Sequence, residues 1–200
     1  MPSIELPTAL TDDVVTLRPL EEGDVPAYVQ AFRDDPTLGS MMGMELDPTE
    51  SSVRRGIAEA PELRRSGRWV ELAVTHATHG TFLGLVVFHG FSWVDKRAEF
   101  SAWLAPEARG HGHAARAARI ALAWAFETLG LARLEMSTTT ENRAAQRFAR
   151  NLGFTYEGTM RARNVERGRP VDVLFFGLLR EEWLERRHAS VRRHPQRERF

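Results

Sequence analysis

The sequence predicts an α+β fold, a mixed and mostly antiparallel central sheet of about seven strands flanked by helices. Three observations predict it. Trp69 to Thr75, Thr81 to Phe91 and Arg97 to Leu104 are apolar or alternating segments joined by short gaps, the pattern of an antiparallel meander. An alanine-rich stretch of helical period then separates Leu104 from another alternating segment, Ala132 to Thr138, which inserts one strand–helix–strand step into the sheet. Phe154 to Arg163 and Pro170 to Leu179 form a final hairpin across Glu166 to Arg169.

Each element has a local cause. Val14 to Leu17 alternates and stops at Pro19, and Asp24 can cap a helix from Val25 to about Arg33. Pro36 to Asp47 reads as a loop, with Gly39, Gly43, Met41, Met42 and Met44. Thr49 to about Arg65 reads as a second helix, interrupted in character by Gly56 and Pro61. After Pro106 to His113, a loop with two glycines, Ala114, Ala117, Ala118, Ala121, Leu122, Ala125 and Leu129 recur at helical spacing. Ile120, Trp124 and Phe126 widen that stripe, and Gly130 ends it. Asn142 can cap a helix whose face is Ala145, Phe148, Ala149 and Leu152, closed by Gly153. A short polar helix through His188 follows the hairpin. The expected organisation is a lead over 1–13, one domain over 14–185 and a polar tail over 186–200, rich in arginine and histidine and read as solvated.

Composition narrows the function. A chain of 200 residues favours one domain able to bury a full core. Formal net charge is zero, which argues against wholesale binding of nucleic acid or an anionic membrane. Cysteine is absent, so disulfides, thiolate metal sites and an acyl-cysteine intermediate are excluded. No apolar run approaches the roughly 20 residues of a membrane helix, and Met1 to Leu10 lacks the character of a signal peptide. The cytoplasm is the expected location.

Chemistry concentrates in Arg109-Gly110-His111-Gly112-His113-Ala114, between a strand and a helix. Glycines let backbone amides turn toward a ligand, and the amides opening a helix are unpaired at the positive end of its dipole. Arg109, with His111 and His113 when protonated, can add charge. The result is an anion site sized for a phosphate group. A plain tight connection would also read this way. The loop is neither a Rossmann fingerprint nor a Walker loop, since a third glycine and a Gly-Lys-Ser/Thr are both missing.

Context carries the loop further, for here the chain resembles a known family, the GCN5-related N-acetyltransferases (GNAT). The loop of that family reads Arg/Gln-x-x-Gly-x-Gly/Ala, and Arg109, Gly110, Gly112 and Ala114 supply a form of it. A second block reads Asn, then Ala or Ser three on, then Gly-Phe, and Asn142, Ala145, Gly153 and Phe154 fill it. Glu157-Gly158-Thr159-Met160-Arg161 is similar to the RimJ/RimL-like branch, which acetylates ribosomal-protein N-termini and many small amines. The resemblance covers roughly 14–183. It implies the GNAT acyl-CoA acyltransferase fold, acetyl-CoA as acyl-donor substrate, no metal, and an amine acceptor; related proteins are often homodimers. It also implies that the strand before the loop splays from its parallel neighbour to admit the pantetheine arm. Trp103 and Leu104 then lie beside the arm, Arg109 to Ala114 on the diphosphate, and Asn142 near the thiol end. Asn142 also reads as a plain helix cap.

The reaction states what else is needed. The amine must be neutral to attack a thioester; an α-amine has a pKa of about 8 and a lysine amine about 10.4. A base or a desolvating pocket therefore helps the second more than the first. Glu99, on the strand leading into the loop, is the candidate catalytic base, directly or through water; a solvated carboxylate or a structural ion pair is the alternative. Asp95 more readily shapes a turn. A backbone amide near Leu104 can donate to the oxyanion. The sequence departs from family patterns at the acid: Ala149 stands where many members have tyrosine, and Ala145 where this branch often has serine. Ser137 and Thr138 could donate but also read as structural hydroxyls. His111 and His113 lack further ligands at metal spacing, and His76, His79 and His89 read as strand-end or turn residues. Acceptor recognition is expected from the two early helices, the loop 36–47 and the hairpin near Arg163 to Arg169. Met41, Met42 and Met44 could line a pocket there, and Asp34, Asp35 and Glu45 attract a cation. Rival readings are another donor such as succinyl-CoA, or a non-catalytic acyl-CoA-binding module.

Overall fold

A computed structural model describes residues 2–7, 10–41, 47–166 and 168–193. Eight strands form one sheet: β1 (Leu10–Thr11), β2 (Val15–Pro19), β3 (Val70–His76), β4 (Phe82–Ser92), β5 (Arg97–Leu104), β6 (Arg133–Thr139), β7 (Thr155–Glu166) and β8 (Arg169–Leu179). Their order is β1-β2-β3-β4-β5-β6-β8-β7. Every pairing is antiparallel except β5 with β6, which the strand–helix–strand step makes parallel. The helices are α1 (Val25–Asp34), α2 (Leu38–Met41), α3 (Glu50–Arg65), α4 (His113–Ala123), α5 (Arg143–Leu152) and α6 (Arg180–Arg193).

Local chemistry sets the boundaries that matter for the site. Thr49 and Ser52 cap α3 reciprocally. Gly112, at φ 81°, precedes the first turn of α4. Past Ala123 that helix widens into a π turn over Trp124–Thr128, where the Leu129 N–H reaches the Trp124 carbonyl at 3.1 Å. The alanine stripe presses α4 flat on the sheet: Ala117, Ala118 and Ala121 are fully buried, with Phe88, Phe100, Leu134 and Phe176 in the same cluster. On the opposite face, α1 packs Phe32 against Phe82, Leu85 and Trp103. Alternation along β5 therefore sends Phe100 and Leu104 to the α4 face and Trp103 to the α1 face.

Three features differ from the sequence reading. The sheet gains β1, a two-residue strand paired Leu10↔Leu17 and Thr11↔Thr16. It lies within the stretch expected as a lead, which also buries Ile4, its N–H bonded to the Arg64 carbonyl at 3.0 Å. The expected loop after Pro36 begins with α2, and Met42, Met44 and Glu45 lie outside the described residues. Finally, α6 runs through the 185/186 boundary to Arg193, with Arg187 paired to Glu127 and placed over Trp183.

Candidate active site

The sheet opens at one place. Pairing of β5 with β6 runs only through Arg97↔Arg133, Ala98↔Leu134 and Glu99↔Glu135. Beyond it, β5 pairs with β4 up to Gly84↔Leu104, while β6 pairs with β8 up to Thr139↔Val173. The two strands diverge after Glu99 and leave a wedge between them. The Ala105 N–H bonds the Leu83 carbonyl at 2.9 Å, which fixes the alternation along β5. The backbone groups of Ala102 and Leu104 then point into the wedge, and those of Ser101 and Trp103 toward β4. Gly84 permits the close approach at the open end, since a Cβ there would stand 2.1 Å from the Trp103 carbonyl oxygen.

The glycine loop closes the wide end. Gly110 and Gly112 both have φ of 81°, and a Cβ on either would meet nothing within 4 Å. Gly112 gives no side-chain cap to α4, and the first helical bond is from the Arg116 N–H to the Gly112 carbonyl at 3.2 Å. The amides of residues 112–115, Ala114 among them, thus face away from the helix beside an open cradle. The Arg109 side chain holds the loop to the sheet: its Nε donates to the Leu104 carbonyl at 2.9 Å and its Nη1 to Asp35 at 2.7 Å. Asp35 in turn accepts from the Thr37 hydroxyl at 2.6 Å. That bond first, and the Arg109 guanidinium after it, hold the Asp35 carboxyl below the usual carboxylate range. A carbonyl only accepts, so His113 donates from Nδ1 to Ala108 at 3.2 Å.

The structure brings some predicted residues together and separates others. His111 stacks near His113 with ring centroids 5.7 Å apart, and His76, read as a strand-end residue, lies 6.3 Å from His113 and 4.9 Å from His79. Among the described residues, no group of three or more His, Asp or Glu side chains is placed to hold a metal ion. Asn142 caps α5, its Oδ1 accepting the Ala145 N–H at 3.0 Å, beside the wedge end of β6. Leu104 lies at the wedge by its backbone. The Trp103 ring is buried among Tyr28, Phe32 and Phe82, 5.2 Å from the first two. Glu99 sits where pairing ends, half-buried, with its carboxylate over Gly90. From Leu104 to Glu99 is roughly 17 Å at about 3.3 Å per residue, long enough to lay out an extended arm.

Two site residues escape a sequence reading. Gln146 is 3% exposed, and its Nε2 donates to the Thr139 and Thr140 carbonyls at 3.2 and 2.9 Å, bracing the turn from β6 into α5. Its position in a polar helix gives no hint of this. Glu71, on β3, lies in a cavity of about 470 Å³ between α3 and the sheet. Burial pushes its carboxyl up from the usual range, and the Trp69 indole only partly restrains it.

A family model described as an acetyltransferase (GNAT) domain matches residues 15–155. The spermidine N(1)-acetyltransferase of Escherichia coli K12 is 38% identical over 160 residues, covering 73% of this chain and 75% of its own. Among solved structures, RimJ of Mycobacterium smegmatis, in complex with CoA-disulfide, superposes with a TM-score of 0.77 at 23% identity over 89% of this chain and 90% of that one. The spermidine N-acetyltransferase of Vibrio cholerae, in complex with CoA and spermine, gives 0.76 at 24% identity over 86% of this chain and 99% of that one.

Proposed function

This chain belongs to the acetyltransferase (GNAT) family and is an acetyl-CoA-dependent N-acetyltransferase, and from that premise we propose how its own residues do the work and which amine they serve. The diphosphate of the donor rests on the amides of residues 110–115, and the pantetheine arm extends between β5 and β6 with the thioester toward Glu99. The observation that carries this reading is the arrest of β5–β6 pairing at Glu99↔Glu135, directly below a glycine cradle whose helix is uncapped. In this placement Arg109 secures the loop by way of Leu104 and Asp35. Asn142 offers its amide nitrogen toward the thiol end while its oxygen caps α5.

The acceptor enters on the face of α1 and α3, toward which Glu99 and Trp103 project. A neutral primary amine attacks the thioester carbonyl; the C–N bond forms and the C–S bond breaks. Glu99, directly or through water, accepts the ammonium proton. A wedge-facing amide, of Ala102 or Leu104, donates to the oxyanion. The thiolate leaves without a dedicated acid, since a thiol pKa of about 8.5 makes it a stable leaving group; positions 145 and 149 are alanines here. The named substrate of the 38%-identical relative favours a small amine as acceptor over a protein N-terminus. Thiol release from acetyl-CoA with a panel of small amines and peptides tests the reading. The protein has no cysteine, so every thiol detected comes from the donor. Release with small amines, suppressed by Glu99→Gln in a pH-dependent way, is expected. Succinyl-CoA outcompeting acetyl-CoA would reassign the donor, and CoA binding without any release would leave a non-catalytic module.

A further inference from the structure

The cavity between α3 and the sheet is lined by apolar groups of Leu20, Ile57, Ala60 and Leu63, by the Trp69 ring, and by the carboxylate of Glu71. At about 470 Å³ it falls within the range of small-molecule pockets. A carboxylate in apolar surroundings is costly unless something neutralises it. No cation of the described residues offsets Glu71. The groups that act on it or feel it are Tyr28 from α1, whose phenol is pushed up by burial and then by Glu71 itself, and Trp69, the residue before β3, whose ring is backed by His89 of β4 at 5.4 Å. Arg64, in the last turn of α3, also lines the cavity; the helix dipole favours a cation there, while burial lowers its guanidinium from the usual range. The wall is further enriched in acceptors because Pro61 has no N–H to give the Ile57 carbonyl.

Register relates this cavity to the wedge. Glu71 pairs with Val87, and Val87 with Ser101, next to the wedge-facing Ala102. Strands about 4.8 Å apart place β3 roughly 10 Å from β5. Tyr28 relates to both strands: Glu71 raises its phenol, and its ring lies 5.2 Å from that of Trp103. The cavity is therefore level with the place proposed above for the thioester, and one small-molecule length from it.

We propose that this cavity is the subsite for the distal end of the acceptor, that the end is an ammonium on an aliphatic stem, and that Glu71 is its counter-ion. The acceptor class is then a linear diamine or polyamine, one nitrogen held on Glu71 while the other meets the thioester. This rests on the acetyl-transfer reading above. The carboxylate selects for a second charge, the apolar wall accepts methylenes, and the span sets the separation of the nitrogens.

The test compares kcat/KM for linear α,ω-diamines with that for monoamines of the same chain length. Wild-type protein is expected to prefer the diamine by tenfold or more, at an optimum chain length. Glu71→Gln, isosteric and uncharged, is expected to reduce that preference to within about twofold by raising the diamine KM. Ala60→Phe, which fills the cavity from α3, is expected to do the same. Stability reads the charge separately. The folded state holds the Glu71 proton more tightly than the unfolded chain, so this group's contribution declines as pH rises past the ordinary carboxylate range. Glu71→Gln is therefore expected to raise the melting temperature more at pH 8 than at pH 4. Wild-type protein that acetylates both amines without preference, or a preference that survives both substitutions, overturns the subsite while leaving acetyl transfer intact. Absence of thiol release with any amine counts against the parent reading instead.

Discussion

Replacing Gly84 by alanine puts the wedge under direct load. The new Cβ would stand 2.1 Å from the Trp103 oxygen, 2.7 Å from Leu104 Cα and 2.9 Å from Leu104 Cδ2. Two of these are backbone atoms, so no rotamer change relieves the contact. Ordinary van der Waals separation requires β5 to retreat by more than an ångström. Retreat from β4 carries it toward β6, into the space assigned to the pantetheine arm. Gly84 also has φ of 152°, which a side chain resists. Overpacking costs about 1–3 kcal/mol and backbone strain a similar amount, so a loss of about 2–4 kcal/mol is expected. At about 2–4 °C per kcal/mol for a domain of this size, the melting temperature should fall by roughly 5–15 °C. Calorimetry with CoA on the folded variant should show at least tenfold weaker binding, about 1.4 kcal/mol. A melting temperature within 1 °C or so of wild type, with CoA affinity unchanged, would refute the argument that β5 is held at the wedge by contact with Gly84.

Other perturbations separate cradle, latch and scaffold. Gly110→Ala and Gly112→Ala force φ of 81° on a residue with a Cβ but meet no neighbour, so each should cost only about 1–2 kcal/mol in urea unfolding while raising the acetyl-CoA KM tenfold or more. Asp35→Asn releases Arg109. Because the Asp35 carboxyl titrates below its unfolded value, its stabilisation is present above the ordinary carboxylate range and is lost as pH falls through the lower folded value. The variant should therefore show a shallower acid decline of the unfolding midpoint below about pH 4 than wild type does. Asp24→Ala removes the buried partner of Arg18, held by two bonds of 2.7 and 2.8 Å, and should cost about 3 kcal/mol in denaturant unfolding without changing the acetyl-CoA KM.

The fold was legible wherever local pattern decides it. The alanine stripe, the capping asparagine at 142 and the glycines at 110, 112 and 153 act within a few residues, and the elements they predict are present. What depends on partners far along the chain was not. β1 exists only because Leu10 finds Leu17 across a turn, and nothing in two residues announces a strand. The splay is a matter of register between β5 and β6, so the family resemblance suggested it and the strand pattern did not. The predicted end of the helix near Gly130 was close, but the π turn over Trp124–Thr128 has no signature in an otherwise regular stripe. Gln146 and Glu71 show the same limit for side chains. Gln146 is buried because two turn carbonyls need a donor, and Glu71 is half-buried in the cavity between α3 and the sheet. In each case the polar residue sits at a position whose periodicity says little. The family-defining loop, by contrast, was readable because glycine conformation and an exposed helix start are local facts.

In the mechanism proposed here, donor binding rests on backbone amides of the 110–115 loop gripping the diphosphate of a CoA thioester. Calorimetric titration of the intact protein with CoA and with pantetheine, which keeps the arm and lacks every phosphate, tests it most directly. Saturable CoA binding is expected, with pantetheine affinity at least a hundredfold weaker, about 2.7 kcal/mol. Equal affinities, or no heat with CoA at millimolar concentration, would contradict it.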